Sequence, residues 1–380
     1  MATEDGVIDI VRGKYASMRT DLNESLIQRS EEIDLCLLGL LSGEHVLLVG
    51  PPGTAKSLLA DSFVSWLKGG QIFSILLTKY TTPEEVCGPV SVSGLRADVY
   101  RRITKGKLPE AHIAFIDEIF NGSSSIQNTT LKILNERTFL NDGVEVKCPL
   151  RLCIAASNLW PHEREDSREL GAFFDRFTFR KNVNPISTDD GLDLLLWGGD
   201  HRPVLTTYIT ESDINVGMEA VAGIPWTQDA KDCLNSILKE SREEGIVPGD
   251  RRLCKSKKAA QAFAFLEGDD EVKPEHLAVL SHTLWMDPKE QAKKLFEIVG
   301  KIANPSSMKV NSYILESQEI IRNLDLHRAD IPKICEDLNK LKEIHKKLSK
   351  VKGVRATRGA VHVKDMIGKV AESIVKRTEV

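Results

Sequence analysis

Residues 44–57 read EHVLLVGPPGTAKS. Four apolar residues, Val46 to Val49, run into Gly50-Pro51-Pro52-Gly53, and a lone lysine, Lys56, waits just beyond. An apolar run without alternation is the mark of a parallel strand buried on both faces. Ending such a strand in backbone almost bare of side chains suits a polyphosphate, which must approach main-chain N–H groups at the start of a helix. Gly50, Lys56 and Ser57 fit G-x-x-x-x-G-K-[ST], but Ala55 stands where the pattern has its second glycine. Alanine fits there if φ stays negative, with Gly53 supplying the tight turn. The candidate cradle is thus Gly50, Pro51, Pro52, Gly53, Thr54, Ala55, Lys56, Ser57 and Leu58. Lys56 would then reach the β- and γ-phosphates, and Ser57 would ligate magnesium.

A second stretch supports this reading. HIAFIDEIF ends an apolar strand in Asp117 and Glu118, about 60 residues after the cradle. An acidic strand end is what a magnesium site beside a phosphate loop needs. Asp117 holds the metal's water shell, and Glu118 polarises the attacking water. LCIAASNLW ends a further strand in Ser157-Asn158, where the Asn158 amide is placed to orient that water. In ELGAFFDRFTF, Arg176 offers a planar, permanently charged fork suited to the charge on a transferred phosphoryl. A pairing with Asp175 would make it structural instead. GDRRLCKS opens a helix with Arg251 and Arg252; one can contact nucleotide while the other pairs with an acid.

The rest of the chain organises around these residues. Strand-like runs at 46–49, 72–77, 113–116 and 152–156 alternate with helical stretches, which predicts an α/β domain with a parallel sheet. RSEEIDLCLLGLLSG reads as a helix capped by Ser30 and closed by Gly43, and a second helix runs from Lys56 to Leu67. Residues 86–110 are irregular and read as an insertion of hairpin character, while Asp142-Gly143 predicts a tight hairpin turn. Segments 228–241, 252–267 and 274–286 have helical periodicity and predict a small all-α domain. Asp330 and Pro332 open a helix with Ile334, Leu338, Leu341, Ile344 and Leu348 on one face. The expected division is 1–186, 187–288 and 289–380.

With 380 residues, 28% of them charged, and a net charge of −4, the chain suits two or three globular domains and carries no global nucleic-acid signal. No apolar run approaches the roughly 20 residues of a membrane span. MATEDGVIDIVRG carries acids where a signal peptide has lysines, and the seven cysteines form no C-x-x-C pair. A reducing cytoplasm is the expected compartment.

In this order the residues resemble the AAA+ ATPases, and GPPGTAKS, alanine included, resembles the MoxR branch. TPEEVCGP at 82–89, KGKLPEAHIAFIDEI at 105–119, LKILNER at 131–137 and FDRF at 174–177 are similar as well. SLIQRSEEIDLCLLGLLSGE at 25–44, with DRR and the helices reaching LWMD at 284–287, looks like the RavA-type (regulatory ATPase variant A) subgroup. The resemblance spans roughly residues 10–290. It implies a P-loop core, an all-α lid and a helical C-terminal segment, with ATP bound between core and lid in a hexamer. Residues 50–57 match Walker A, Asp117 and Glu118 Walker B, and Asn158 sensor 1. Arg176 aligns with an arginine finger acting on the next subunit, and Arg251 with sensor 2, though Arg252 is close behind. Residues 86–110 look like the helix-2 insert, and 138–147 like the pre-sensor-1 hairpin. The family's expected role is chaperone-like remodelling or maturation of a protein client, beside a partner with a von Willebrand factor A domain.

Three alternatives were weighed. A nucleic-acid motor would use the basic stretch 340–364, with nine Lys/Arg against Glu343, yet no aromatics are interleaved for base stacking. A magnesium-chelatase ATPase subunit fits TPEEVCGP and SEEIDLCLL less well. A scaffold that binds ATP without hydrolysis is disfavoured because every hydrolytic position is filled.

Overall fold

The computed structural model describes residues 4–163, 167–199, 204–304 and 331–350, with scattered residues between 313 and 371. Helices α1 (Glu4–Ser25) and α2 (Ser30–Ser42) precede strand β1 (Val46–Val49) and helix α3 (Lys56–Ser65). Strands β2 (Leu67–Lys68) and β3 (Ile72–Leu76) follow, then the short helices α4 (Pro83–Cys87) and α5 (Val92–Leu95). Next come β4 (Ile113–Asp117), α6 (Ser124–Glu136), the hairpin β5 (Thr138–Asn141) and β6 (Val144–Lys147), and β7 (Leu152–Ser157). Helix α7 (Ser167–Phe174), β8 (Phe179–Asn182), α8 (Asp189–Trp197) and β9 (Ile209–Thr210) complete the α/β part.

Among the described residues, five strands form one parallel sheet in the order β3-β4-β7-β1-β8. Val46, Leu47, Leu48 and Val49 are all buried, as are the six residues of β7, so the central strands have no polar face. Each such Val or Leu contributes roughly 1.5–3 kcal/mol of burial free energy. That anchors the loop after β1 to a rigid floor.

Four local expectations change. Leu67 leaves the helix: α3 stops at Ser65, and Leu67-Lys68 pairs in parallel with Ile209-Thr210. Ser30 is the first residue of α2 and does not cap it; Arg29 takes the cap position and makes no side-chain capping bond. Residues 86–110 form no regular hairpin; a single antiparallel bridge joins Val90 to Arg102, with α5 between them. The sheet also gains the edge strand β8, whose Arg180, Lys181 and Asn182 hide it from any search for apolar runs. By contrast, Gly43 does end α2 in the left-handed region, at φ 71°. Asp142 and Gly143 turn the β5–β6 hairpin at φ 56° and 73°, the mirror-image turn that matches strand twist.

The helical part comprises α9 (Glu211–Gly223), α10 (Gln228–Glu243), α11 (Asp250–Glu267), a 3-10 segment (Pro274–His282) and α12 (Gln291–Ala303). Helix α12 lies beyond the expected boundary at 288, yet it packs on α10 and on the 3-10 segment. Helices α1 and α2 bridge the two parts, packing on α9 and α11 as well as on each other. Arg19 grips Asp34 with both Nε and Nη2, at 2.6 and 2.7 Å, and reaches Glu267 of α11 at 2.8 Å. Lys14 pairs with Asp213 of α9 at 2.8 Å. Further on, α13 (Ile331–Leu348) buries Ile334, Leu338, Leu341, Ile344 and Leu348, the face expected from their spacing. Asp330, the basic residues Lys352, Arg355 and Arg358, and the chain end 377–380 lie outside the described residues.

Candidate active site

The loop after β1 is shaped by two backbone demands. A Cβ on Gly50 would sit 2.1 Å from the Val183 carbonyl oxygen, so β8 and the loop behind it require glycine there. Gly53 lies at φ 81°, with open space where a Cβ would point, so its conformation alone calls for glycine. Ala55 overturns the expectation of a negative φ: it sits at 62°. The chain must reverse immediately before α3, and the left-handed conformation does this even with a methyl group attached, at a cost of about 1–2 kcal/mol. Ala55→Gly relieves that strain but loosens the unfolded chain by roughly 0.5–1 kcal/mol. The expected result is an equal or slightly higher thermal midpoint. A drop of several degrees would contradict the strained geometry.

Pro51, Pro52 and Gly53 are exposed, so the loop presents its backbone outward at the N-terminus of α3. Lys56 folds back beneath it. Its Nζ donates to the carbonyl oxygens of Gly50 at 2.7 Å and Pro51 at 3.0 Å, and to Asn158 Oδ1 at 3.3 Å. Burial pulls the Lys56 ammonium below its ordinary pKa; Asp117 and Glu118 oppose this, while Arg29 adds to it. Leu58 projects to the surface on the first turn of α3.

The acids stand opposite. Ser57 Oγ donates to Asp117 Oδ2 at 3.4 Å, which brings two oxygens suited to a hard divalent cation together. Asp117 Oδ1 accepts from the Glu118 backbone N–H at 2.9 Å, and Glu118 takes the left-handed region at φ 50°. That turn lifts its carboxylate off the strand end, where Asn158 Nδ2 donates to Oε1 and Asn121 Nδ2 lies 3.5 Å from Oε2. A non-glycine residue held at positive φ is a feature that clusters at functional sites. Lys56, Ser57, Asp117, Glu118 and Asn158 therefore form one connected set that joins the start of α3 to the ends of β4 and β7.

Two residues of this neighbourhood escaped the sequence reading. Asn121 follows Glu118 by three positions, a spacing with no distinguishing signal. Arg29 is 5% exposed and donates from Nε to the Thr54 carbonyl at 3.1 Å, tying the start of α2 to the phosphate loop. A lone arginine between Gln28 and Ser30 resembles any surface residue until its burial is known.

Among the described residues, Arg176 and Arg251 make no hydrogen bond or ion pair with this set. Arg176 Nη1 lies 4.0 Å from Asp175 Oδ2, the outer limit of an ion pair, and its Nε is buried without a hydrogen bond. Of the two arginines at the start of α11, Arg252 is buried and pairs with an acid, Asp175, at 2.6 Å, while Arg251 is exposed.

A parallel sheet carrying a phosphate loop, an acidic strand end and a helical bundle beyond it defines an AAA+ ATPase. The MoxR domain of the MoxR-vWA-beta-propeller ternary systems matches residues 14–216, and the AAA lid domain matches 230–299. An uncharacterised protein of Methanocaldococcus jannaschii is 37% identical over 349 residues, covering 89% of this chain and 88% of that protein. Chaperone MoxR1 of Mycobacterium tuberculosis is 26% identical over 200 residues, about half of each chain. The crystal structure of a candidate ATPase from Cytophaga hutchinsonii shares the fold, with a TM-score of 0.63 and 17% identity, over 79% of this chain and 97% of that one. This chain belongs to the MoxR family of AAA+ ATPases. No helix among the described residues is long and apolar enough to cross a membrane.

Proposed function

We propose that the chain is a magnesium-dependent ATPase that works as a ring, a hexamer, and uses hydrolysis to remodel or mature a protein client. The observation carrying this reading is the connected set formed by Lys56, Ser57, Asp117, Glu118 and Asn158. The same residues fit the groups they would hold. Glycine is obligatory at 50, the loop backbone is open at 51–53, and hydroxyl and carboxylate oxygens meet at Ser57 and Asp117.

In this reading residues 50–58 hold the phosphates, and Lys56 leaves its loop carbonyls for the β- and γ-phosphate oxygens. Ser57 and Asp117 would hold magnesium, which when bound would neutralise charge on those oxygens. Glu118 accepts a proton from the attacking water, with Asn158 fixing the carboxylate and facing the γ-phosphate. Arg176 serves the site of the next subunit, and Arg251, exposed at the start of α11, serves as sensor 2. The pairing of Arg252 with Asp175 supports giving that role to Arg251.

Residues 1–186 form the nucleotide core in this account and 187–288 the lid. Helix α12 joins the lid bundle it packs on, and the remainder of 289–380 is a helical extension. Membership of a family described from MoxR-vWA systems supports a partner with a von Willebrand factor A domain. The RavA-type character of 25–44 and 284–287 and a cytoplasmic location belong to the same proposal.

Purified protein is expected to release phosphate from ATP only with magnesium present. Lys56→Ala should weaken ATP binding at least about tenfold, because a charge-assisted contact is lost. Hydrolysis undiminished in that variant would defeat the reading.

A further inference from the structure

Asp175 stands at a junction that nucleotide binding alone does not explain. Its carboxylate is shared by three arginines from different elements. Arg252 Nη2, from α11 of the helical bundle, donates to Oδ1 at 2.6 Å and to the Asp175 carbonyl at 2.9 Å. Arg180 Nη2, from β8, lies 3.9 Å from Oδ1. Arg176 Nη1 lies 4.0 Å from the other oxygen, Oδ2.

Both partners on Oδ1 are held by further contacts. Arg252 Nη1 also donates to the Thr283 carbonyl at 2.8 Å, and Ser256 Oγ donates to Thr283 Oγ1 at 2.8 Å. Arg180 is wholly buried; it stacks 3.9 Å over Phe174, donates to the Phe177 and Phe174 carbonyls, and reaches the Trp285 carbonyl. Trp285 packs on Trp160 and Phe174, so this corner of the lid rests against the end of α7.

Arg176 has the opposite character. Its Nε is buried and takes no hydrogen bond, and its ion-pair contact is the long one to Oδ2. Such a pair contributes at most about 1 kcal/mol, so the side chain is aimed, and only weakly, by wherever Asp175 stands. Moving Arg252 moves Oδ1, and the rigid carboxylate carries Oδ2 with it. Arg251 is the next residue on the same helical turn, turned outward while Arg252 faces in.

We propose that Asp175 and Arg252 are positioning residues that transmit the attitude of a subunit's own lid to the arginine this subunit presents to its neighbour. The proposal rests on the reading above of Arg176 as a finger acting in trans. A lid shift that displaces Arg252 would move Asp175 and re-aim Arg176. The subunit that carries the substitution keeps an intact ATP site of its own.

Mixing of subunits tests this. Arg252→Gln alone is expected to lower kcat about 100-fold with little change in KM, the size of effect produced by misplacing a catalytic group by about 1 Å. Glu118→Gln subunits lack their own base but keep a correctly aimed Arg176. Assembled one-to-one with them, Arg252→Gln subunits should recover at least about tenfold over the sum of the two separate preparations. Arg176→Ala mixed with Glu118→Gln is the control and should recover likewise. Asp175→Asn, at a half-exposed position, repeats the test with little risk to folding and should behave as Arg252→Gln does. Recovery in the control but in neither Arg252→Gln nor Asp175→Asn would overturn the proposal, placing these residues in the service of their own site. Failure of the control would remove the trans finger itself, and the relay with it.

Discussion

Arg176→Ala protein is expected to bind ATP with unchanged affinity and to hydrolyse it about 10³-fold or more slowly, the range that an arginine finger contributes. That loss corresponds to about 4 kcal/mol of barrier or more. No hydrogen bond or ion pair among the described residues joins this arginine to the Lys56–Glu118 set of its own subunit, so its removal should leave the loop after β1 and the acidic strand end in place. Little stability is at stake either, because its ion-pair contact is at the 4.0 Å limit. Phosphate release measured against ATP concentration, with a separate titration of nucleotide binding, distinguishes the two effects. A variant retaining most of its turnover would return Arg176 to a local structural role beside Asp175.

Glu118→Gln should bind ATP normally and lose about 10²- to 10⁴-fold in hydrolysis, the contribution of a positioned general base. Glutamine keeps the size and one of the two acceptor oxygens, enough to receive the Asn158 amide at Oε1, but it cannot take a proton from water. The left-handed φ at this position is unaffected by the exchange, so the strand end should keep its shape. Nucleotide recovered from the washed protein should remain ATP. Recovery of ADP at the wild-type rate would mean that another group activates the water.

Much of this architecture was legible in the sequence, for physical reasons that also explain what was not. Strands β1, β4 and β7 announce themselves because a strand covered on both faces must be apolar throughout. Strand β8 does not: Arg180 is buried by stacking on Phe174 and satisfying carbonyls, a solution that reads as polar in the sequence. The cradle residues and the Asp117-Glu118 pair were legible because their spacing follows a motif and both directly follow apolar strands. The left-handed backbone at Ala55 was not, since an alanine advertises the opposite preference. Whether Arg251 or Arg252 turns inward could not be read from two adjacent identical residues; only the helix phase places Arg252 against Asp175 and Thr283. Long-range partners such as Arg29 with Thr54 lie in the same class, because nothing local records a contact between two loops.

The central claim is a motor built on shared sites, in which one subunit's ATP meets the next subunit's arginine. Its most direct test is the mass in solution of the Glu118→Gln protein, by light scattering, before and after magnesium and ATP are added. The account predicts a shift from small species to an assembly of about six subunits, because ATP held without hydrolysis stabilises the interface it bridges, as any ligand stabilises the state it binds. A protein that binds ATP at this site and stays monomeric at every concentration would contradict it.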